Sequence, residues 1–266
     1  MEGKLTMQTK HRPEIWVLTR FAERRLGLDR PSLDWLRMRR ELMLARLYPT
    51  VFESRDLLAG WLLSVADDCP KGFVNDLAQS VLPVGRIIRQ RAVEHSAITF
   101  GRCLPSQGAF LSVRIDSDDL VSHDFFEKLL SLPLEPGNLV SFPRGVIYDV
   151  DTGRAAQSEV LGNTFQTFYG KQNIFDLGAH GTAPQRSDVQ VVKIYTRDPM
   201  RMVICDGKNI ANRFPDVYLP ESSKKLEARF APLPQATRRP HFLGKVGAAV
   251  VYALSAARKL LLGETA

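Results

Sequence analysis

The chain has 266 residues, 44% hydrophobic and 24% charged, with a formal net charge of +7. This is ordinary globular composition, long enough for one large domain or two small ones, and its basic balance favours anionic partners: nucleotide phosphates, nucleic acid or an acidic membrane surface. The three cysteines, Cys69, Cys103 and Cys205, form no CxxC pair, and no stretch reaches the ~18 uncharged residues of a membrane span, which argues against a zinc site, a disulfide frame or an integral membrane protein. With no signal peptide visible, the expected location is cytoplasmic.

Glu14 to Arg20 is a short apolar run with polar ends, the pattern of a first parallel strand. No GxGxxG follows it, so a dinucleotide-binding Rossmann domain is not expected. Arg20, Arg24 and Arg25 stand at its end, where a phosphate-bearing ligand can be met. Pro31 and Ser32 open a helix to about Tyr48, with Leu33, Leu36, Met43, Leu44 and Leu47 for its buried face and Arg37, Arg39 and Arg40 solvated. Leu57 to Ala66 reads as a second strand closed by Asp67 and Asp68, near a nucleobase or ribose pocket. A turn or helix-capping role is the plainer account of that carboxylate pair. Phe73 to Val81 is helical, and Val84 to Ile88 is a third strand.

Phe110 to Ile115 is a buried strand that stops at Asp116-Ser117-Asp118-Asp119. Like charges this close raise one another's pKa unless a cation lies between them, and the carboxyl edge of strands is where open α/β sheets bind ligands. Strand periodicity puts Asp116 and Asp118 on one face, suited to Mg²⁺ or Mn²⁺, with Ser117 pointing away and Asp119 steadying the turn. An EF-hand is excluded, because Leu120 and Val121 occupy its fifth ligand and essential glycine. Helix capping on an exposed turn is the competing structural account.

A helix follows from about Ser122, as N-cap, to Ser131. Leu139 to Phe142 and Gly145 to Val150 read as a hairpin across Pro143-Arg144-Gly145. Asn163 to Ser187 is irregular and reads as a functional loop. Val189 to Tyr195 and Met202 to Cys205 are the last strands. Prolines then mark residues 215–240 as a linker, and 241–266 carry an amphipathic helix, His241 to Leu262. That helix can lie in a membrane interface or pack on the domain or a second subunit.

Four segments together resemble the bacterial rhamnosyltransferase family, whose members are GT-A-like: VLTRF (Val17 to Phe21), DWLRMRRELM (Asp34 to Met43), VRIDSDDLVSHDFF (Val113 to Phe126) and GKNIANR (Gly207 to Arg213). The chain departs from the family at Ala22, where asparagine is common, and at Asp206, where histidine is common. The resemblance implies an α/β, GT-A-like nucleotide-diphospho-sugar transferase fold over residues 1–214, with a central, mostly parallel sheet flanked by helices. It also implies a metal-dependent glycosyltransferase moving a sugar, rhamnose by the family label, from a nucleotide-diphosphate donor to a glycan or lipid-linked acceptor.

Under that resemblance Asp116 and Asp118 hold Mn²⁺ or Mg²⁺, with Asp206 or His180 as a further ligand. Thr19, Arg20, Asp67, Ser117, Lys208, Asn209 and Arg213 join them at the donor. Asp149, Asp151, Asp176 and Asp206 are candidates for the acceptor's base. Peripheral membrane contact falls to the terminal helix. A metal-dependent nucleotidyltransferase or phosphohydrolase using the same carboxylates is the alternative, and a non-enzymatic anionic-surface binder the second. Nucleic acid is not an expected partner, since the aromatics do not interleave with the basic residues.

Overall fold

Apolar runs of period two separated by helical runs of period 3.6 build a mixed α/β architecture. The computed structural model describes residues 12–23, 31–91, 94–159, 165–178, 186–205, 221–230 and 233. In chain order the elements are β1 (Ile15–Ala22), α1 (Leu33–Glu53), β2 (Gly60–Ala66), α2 (Lys71–Val81), β3 (Gly85–Gln90), α3 (Ser96–Gly101), β4 (Phe110–Arg114) and β5 (Leu120–Val121). Then come α4 (Phe125–Leu130), β6 (Asn138–Ser141), β7 (Arg144–Asp149), β8 (Arg154–Glu159), β9 (Thr167–Gly170), β10 (Gln190–Lys193), β11 (Arg201–Cys205) and α5 (Ser223–Glu227).

A seven-stranded sheet runs in the order β10-β6-β9-β4-β1-β2-β3, and β9 lies antiparallel to both its neighbours, β4 and β6. Strands β1 to β4 are parallel; β1, β2 and β4 are buried on both faces, as their near-continuous apolar runs require, while β3 lies at the sheet edge with Arg86 exposed. Val17, Trp61, Leu63, Val65, Leu111 and Val113 turn to one face, under α1, α2 and α4. Leu18, Leu62 and Phe110 turn to the other, under α3 and the 3₁₀ turn Ile174–Leu177. A second sheet, β5-β11-β7-β8, carries its own cluster, closed by Leu226 of α5 and Phe230.

Helix α1 begins as the sequence indicates, with the Ser32 side chain accepting from the Trp35 amide. It runs past the expected end at Tyr48, through Pro49, because Thr50 and Val51 are buried against the core and packing outweighs local propensity. Leu36, Met43 and Leu47 are fully buried, whereas Leu33 in the first turn is 39% exposed.

Three expectations are corrected. Leu139 to Val150 is not a hairpin: β6 joins the large sheet and β7 the small one. A two-residue hairpin turn wants positive φ, which Phe142-Pro143 does not supply, so the chain continues outward. The carbonyls of Phe142 and Pro143 instead accept from the buried Arg201 guanidinium, at 3.2 and 2.7 Å. Ser122 does not cap α4, because β5 pairs with β11 just before it and the chain is still extended there; Asp124 takes the cap position. The stretch from Asn163 to Ser187, expected to be irregular, contains β9, whose pairing depends on β4 and β6 rather than on its own sequence.

Within the expected linker, residues 221–230 pack on the second sheet through Leu226 and Phe230. The expected terminal helix, His241 to Leu262, lies outside the described residues. No helix among the described residues is long and apolar enough to cross a membrane.

Candidate active site

From β1 the chain builds β2 and β3 on one side, then passes back to lay β4 against β1's other edge. The gap between the carboxyl ends of β1 and β4 is therefore the topological switch point, where an open α/β sheet leaves a crevice for a ligand. Leu18 stands opposite Arg114 in the register, so Arg20 and Asp116 meet just beyond the last pair.

Arg114 ends β4 and is 4% exposed. Its Nε and Nη2 each donate to Asp116 Oδ1 at 3.2 Å, and Nη2 also reaches Oδ2 at 3.2 Å. Arg20 Nη2 lies 3.9 Å from Asp116 Oδ1. Both guanidinium groups lie over the ring of Phe175, at 5.2 Å for Arg114 and 5.5 Å for Arg20. Burial pushes the Arg114 guanidinium below its ordinary value, Asp116 pulls it back, and the like charge of Arg20 pushes it down again. Arg20 Nε is buried with no hydrogen-bond partner among the described residues. Two guanidinium groups thus gather over one aromatic ring, both within 4 Å of Asp116.

Beyond β4 the chain leaves strand geometry, and the Asp119 amide closes a turn on the Asp116 carbonyl at 3.1 Å. Two-residue periodicity consequently does not extend to Asp118. Ser117, expected to point away, is 1% exposed and accepts from Arg39 Nη2 at 2.8 Å. Arg39 Nη2 is also 3.0 Å from Asp118 Oδ1. Arg39 was expected to be solvated on α1, yet its side chain is only 12% exposed, beside Trp35. Asp119, 2% exposed, accepts from the Ile204 amide at 3.3 Å and so ties the turn to β11.

The remaining sequence candidates scatter. Thr19 is in the core, where its hydroxyl accepts from Trp61 Nε1 at 2.9 Å. Asp67 is exposed beyond β2, in a turn whose carbonyls are held by Arg89 Nη1. Asp149 holds the β7–β8 turn, accepting from the Asp151 amide at 3.1 Å and from Arg154 Nη2 at 3.1 Å. Asp151 belongs to that same turn. The Asp176 carboxylate accepts from the Asn173 amide at 2.8 Å in a capping box. His180, Asp206, Lys208, Asn209 and Arg213 lie outside the described residues.

The sequence did not single out Arg39, Arg114 or Phe175 as site residues. The available signal for Arg114 was a lone arginine inside an otherwise apolar strand. For Arg39 there was none, because its partners are 78 and 79 positions away.

Asp116 and Asp118 are hard oxygen donors, which suits Mg²⁺ or Mn²⁺ in kind. Among the described residues no three His, Cys, Asp or Glu side chains gather for a metal, so any such ion here would keep water or substrate oxygens for its other positions. A cavity of about 740 Å³ lies at the opposite edge of the sheet, lined by Leu57, Leu111, Leu129, Leu130 and Tyr169 among others. Its wall is mostly apolar, with Arg12 and Glu127 as its charged members.

No family model matches the chain, and no curated protein matches it. Solved structures that align with it include the 4-diphosphocytidyl-2C-methyl-D-erythritol synthase from Anaerococcus prevotii DSM 20548, with a TM-score of 0.40, 13% identity, and 69% of this chain and 87% of that chain covered. HddC from Yersinia pseudotuberculosis aligns with a TM-score of 0.41 and 11% identity, over 70% and 91%. The inositol-1-phosphate CTP transferase from T. maritima aligns with a TM-score of 0.34 and 12% identity, over 73% and 86%. None of the three is named as a rhamnosyltransferase, and two are named for cytidyl chemistry. The expected rhamnosyltransferase membership and glycosyl transfer are corrected accordingly. The physical reason is that carboxylates on a turn after a buried strand fit any cation–phosphate grip, whichever bond to phosphorus or carbon is broken.

Proposed function

We propose that the chain is a metal-dependent nucleotidyltransferase, moving a nucleoside monophosphate unit from a nucleoside triphosphate to a phosphorylated acceptor. One observation carries this reading: Arg20 and Arg114 both lie over the ring of Phe175 at the switch point, and both come within 4 Å of Asp116. Bringing two guanidinium groups together out of water is unfavourable, and it becomes useful when a polyphosphate supplies the counter-charge.

In the reaction, an oxygen of the acceptor phosphate attacks the α-phosphorus, and the bond from that phosphorus to the bridging oxygen breaks. The electron pair leaves with pyrophosphate, whose developing charge Arg20 and Arg114 are set to neutralise. A phosphate nucleophile is already anionic and needs no protein base. The commitment of Asp149 and Asp176 to turns is compatible with that chemistry. Asp116 and Asp118 would hold Mg²⁺ or Mn²⁺, which when bound supplies Lewis-acid charge to the phosphate oxygens. The basic net charge of +7 favours capture of two anionic substrates.

The test incubates the full chain with each nucleoside triphosphate, Mn²⁺ and a panel of sugar and polyol phosphates, following pyrophosphate release and the coupled product by mass spectrometry. Acceptor-dependent pyrophosphate release that is lost in Asp116→Asn is the expected result. Failure of every triphosphate to bind, or pyrophosphate release unaffected by Asp116→Asn, overturns the reading.

A further inference from the structure

Strands β1 and β2 pair evenly from Trp16↔Gly60 to Arg20↔Ser64, and then the register slips so that Ala22 faces Val65. A bulge of this kind re-aims the side chains that follow it. Glu23 comes next, just beyond the end of β1. One oxygen of its carboxylate accepts from the Ser64 hydroxyl of β2, and the other from the Ser96 hydroxyl of α3 at 2.7 Å. Both serines are buried, Ser64 completely, while Glu23 is half-buried at the edge. Ser64 is on the same face of the sheet as Leu62, the face on which Arg20 and Arg114 reach Phe175. The charge of Glu23 is felt at Arg114.

We infer that Glu23 recognises the ribose of the nucleotide, accepting hydrogen bonds from its 2′- and 3′-hydroxyls. The inference rests on reading the crevice as a nucleotide site. Each carboxylate oxygen has two acceptor positions, so a serine hydroxyl on each leaves capacity for one further donor on each. A vicinal diol offers two donors at that spacing. Position selects the ribose over the base. Glu23 follows β1 and is held by Ser64 of β2, and Asp116 follows β4 on β1's other side, so they are separated by about one or two strand spacings of ~4.8 Å. The group bonded directly to the α-phosphate is the one that reaches so short a distance. The serines, one from the sheet and one from α3, fix the carboxylate in advance and are positioning residues.

The experiment measures dissociation constants by calorimetry for a ribonucleoside triphosphate, its 2′-deoxy and 3′-deoxy analogues, and pyrophosphate, using the full chain and Glu23→Gln. The wild type is expected to bind the ribonucleotide roughly tenfold or more tightly than either deoxy analogue, as loss of a hydrogen bond to a charged group implies. Glu23→Gln should erase that preference while pyrophosphate still binds, at wild-type affinity or tighter because a negative charge felt at Arg114 is gone, which also shows the variant to be folded. Ser96→Ala should narrow the preference without erasing it. A ribose preference kept in Glu23→Gln, or a loss that follows the base instead of the sugar, overturns the inference. If neither triphosphates nor pyrophosphate bind the wild type, the nucleotide reading itself fails.

Discussion

Arg114→Met provides a direct test of the switch-point cluster, because methionine keeps the length of the side chain and removes its charge and donors. In the native protein Arg114 is 5% exposed at its side chain, and Asp116 is 26% exposed. After substitution Asp116 still has Arg20 Nη2 at 3.9 Å and partial access to water. The stability cost should therefore be about 1–2 kcal/mol, below the ~3–5 kcal/mol of breaking a fully buried pair. The effect on ligand should be larger in proportion. A hydrogen bond to a charged group contributes roughly 1.5–3 kcal/mol, and ~2 kcal/mol corresponds to about a 30-fold weaker Kd.

Pyrophosphate at about 100 times the wild-type Kd adds ~2.7 kcal/mol to stability, and after 30-fold weakening the same concentration adds ~0.9 kcal/mol. At ~2–4 °C per kcal/mol, the ligand-induced rise in Tm should fall from about 5–11 °C to about 2–4 °C. Thermal shift against pyrophosphate reads this directly. A folded Arg114→Met variant with the full wild-type shift would refute the role given to Arg114.

Arg201→Ala removes the donors from the Phe142 and Pro143 carbonyls and empties a fully buried site, so it should lower the unfolding free energy by about 3–5 kcal/mol in urea titrations. Burial pushes this guanidinium down to about 10, with Asp119 opposing, so it remains charged at neutral pH and its hydrogen bonds remain in place. A loss under ~1 kcal/mol would show that the crossover between the sheets does not depend on it. Asp124 sits below the usual carboxylate range: burial raises it, but the Ser122 hydroxyl and the Arg229 guanidinium, 2.7 Å away, lower it by more. Its contribution is thus fully present above the unfolded value and fades as the pH drops through the lowered folded one, below about pH 4. Because Asp124 is half exposed, Asp124→Asn should remove only a few tenths to about 1 kcal/mol near neutral pH, and nothing at pH 2. A difference between the two proteins that persists at pH 2 would contradict the ion-pair account.

Period and composition alone determined the elements that bury a continuous apolar face. Strands β1, β2 and β4 announce themselves as apolar runs, α2 as a 3.6-residue stripe, and α1 through Ser32 and its leucines, because burial on a known face is a local property of the sequence. The carboxylate turn after β4 was legible for the same reason: three aspartates interrupting a buried run demand an account.

What only the tertiary structure decided are relations between distant residues. The entry of β9 between β4 and β6, and the parting of β6 from β7 into two sheets, depend on which edges are open when those short strands arrive. Arg39 gave no hint in its own helix, since its partners Ser117 and Asp118 are brought to it by the packing of α1 against the sheet. Arg114 and Arg20 became a pair only because β4 returns to the free edge of β1. The turn, in its turn, separated the roles of Asp116 and Asp118, giving each its own arginine. Hydrophobic periodicity is written along the chain, whereas the charge pairs that make a site depend on strand order and register, which no single segment contains.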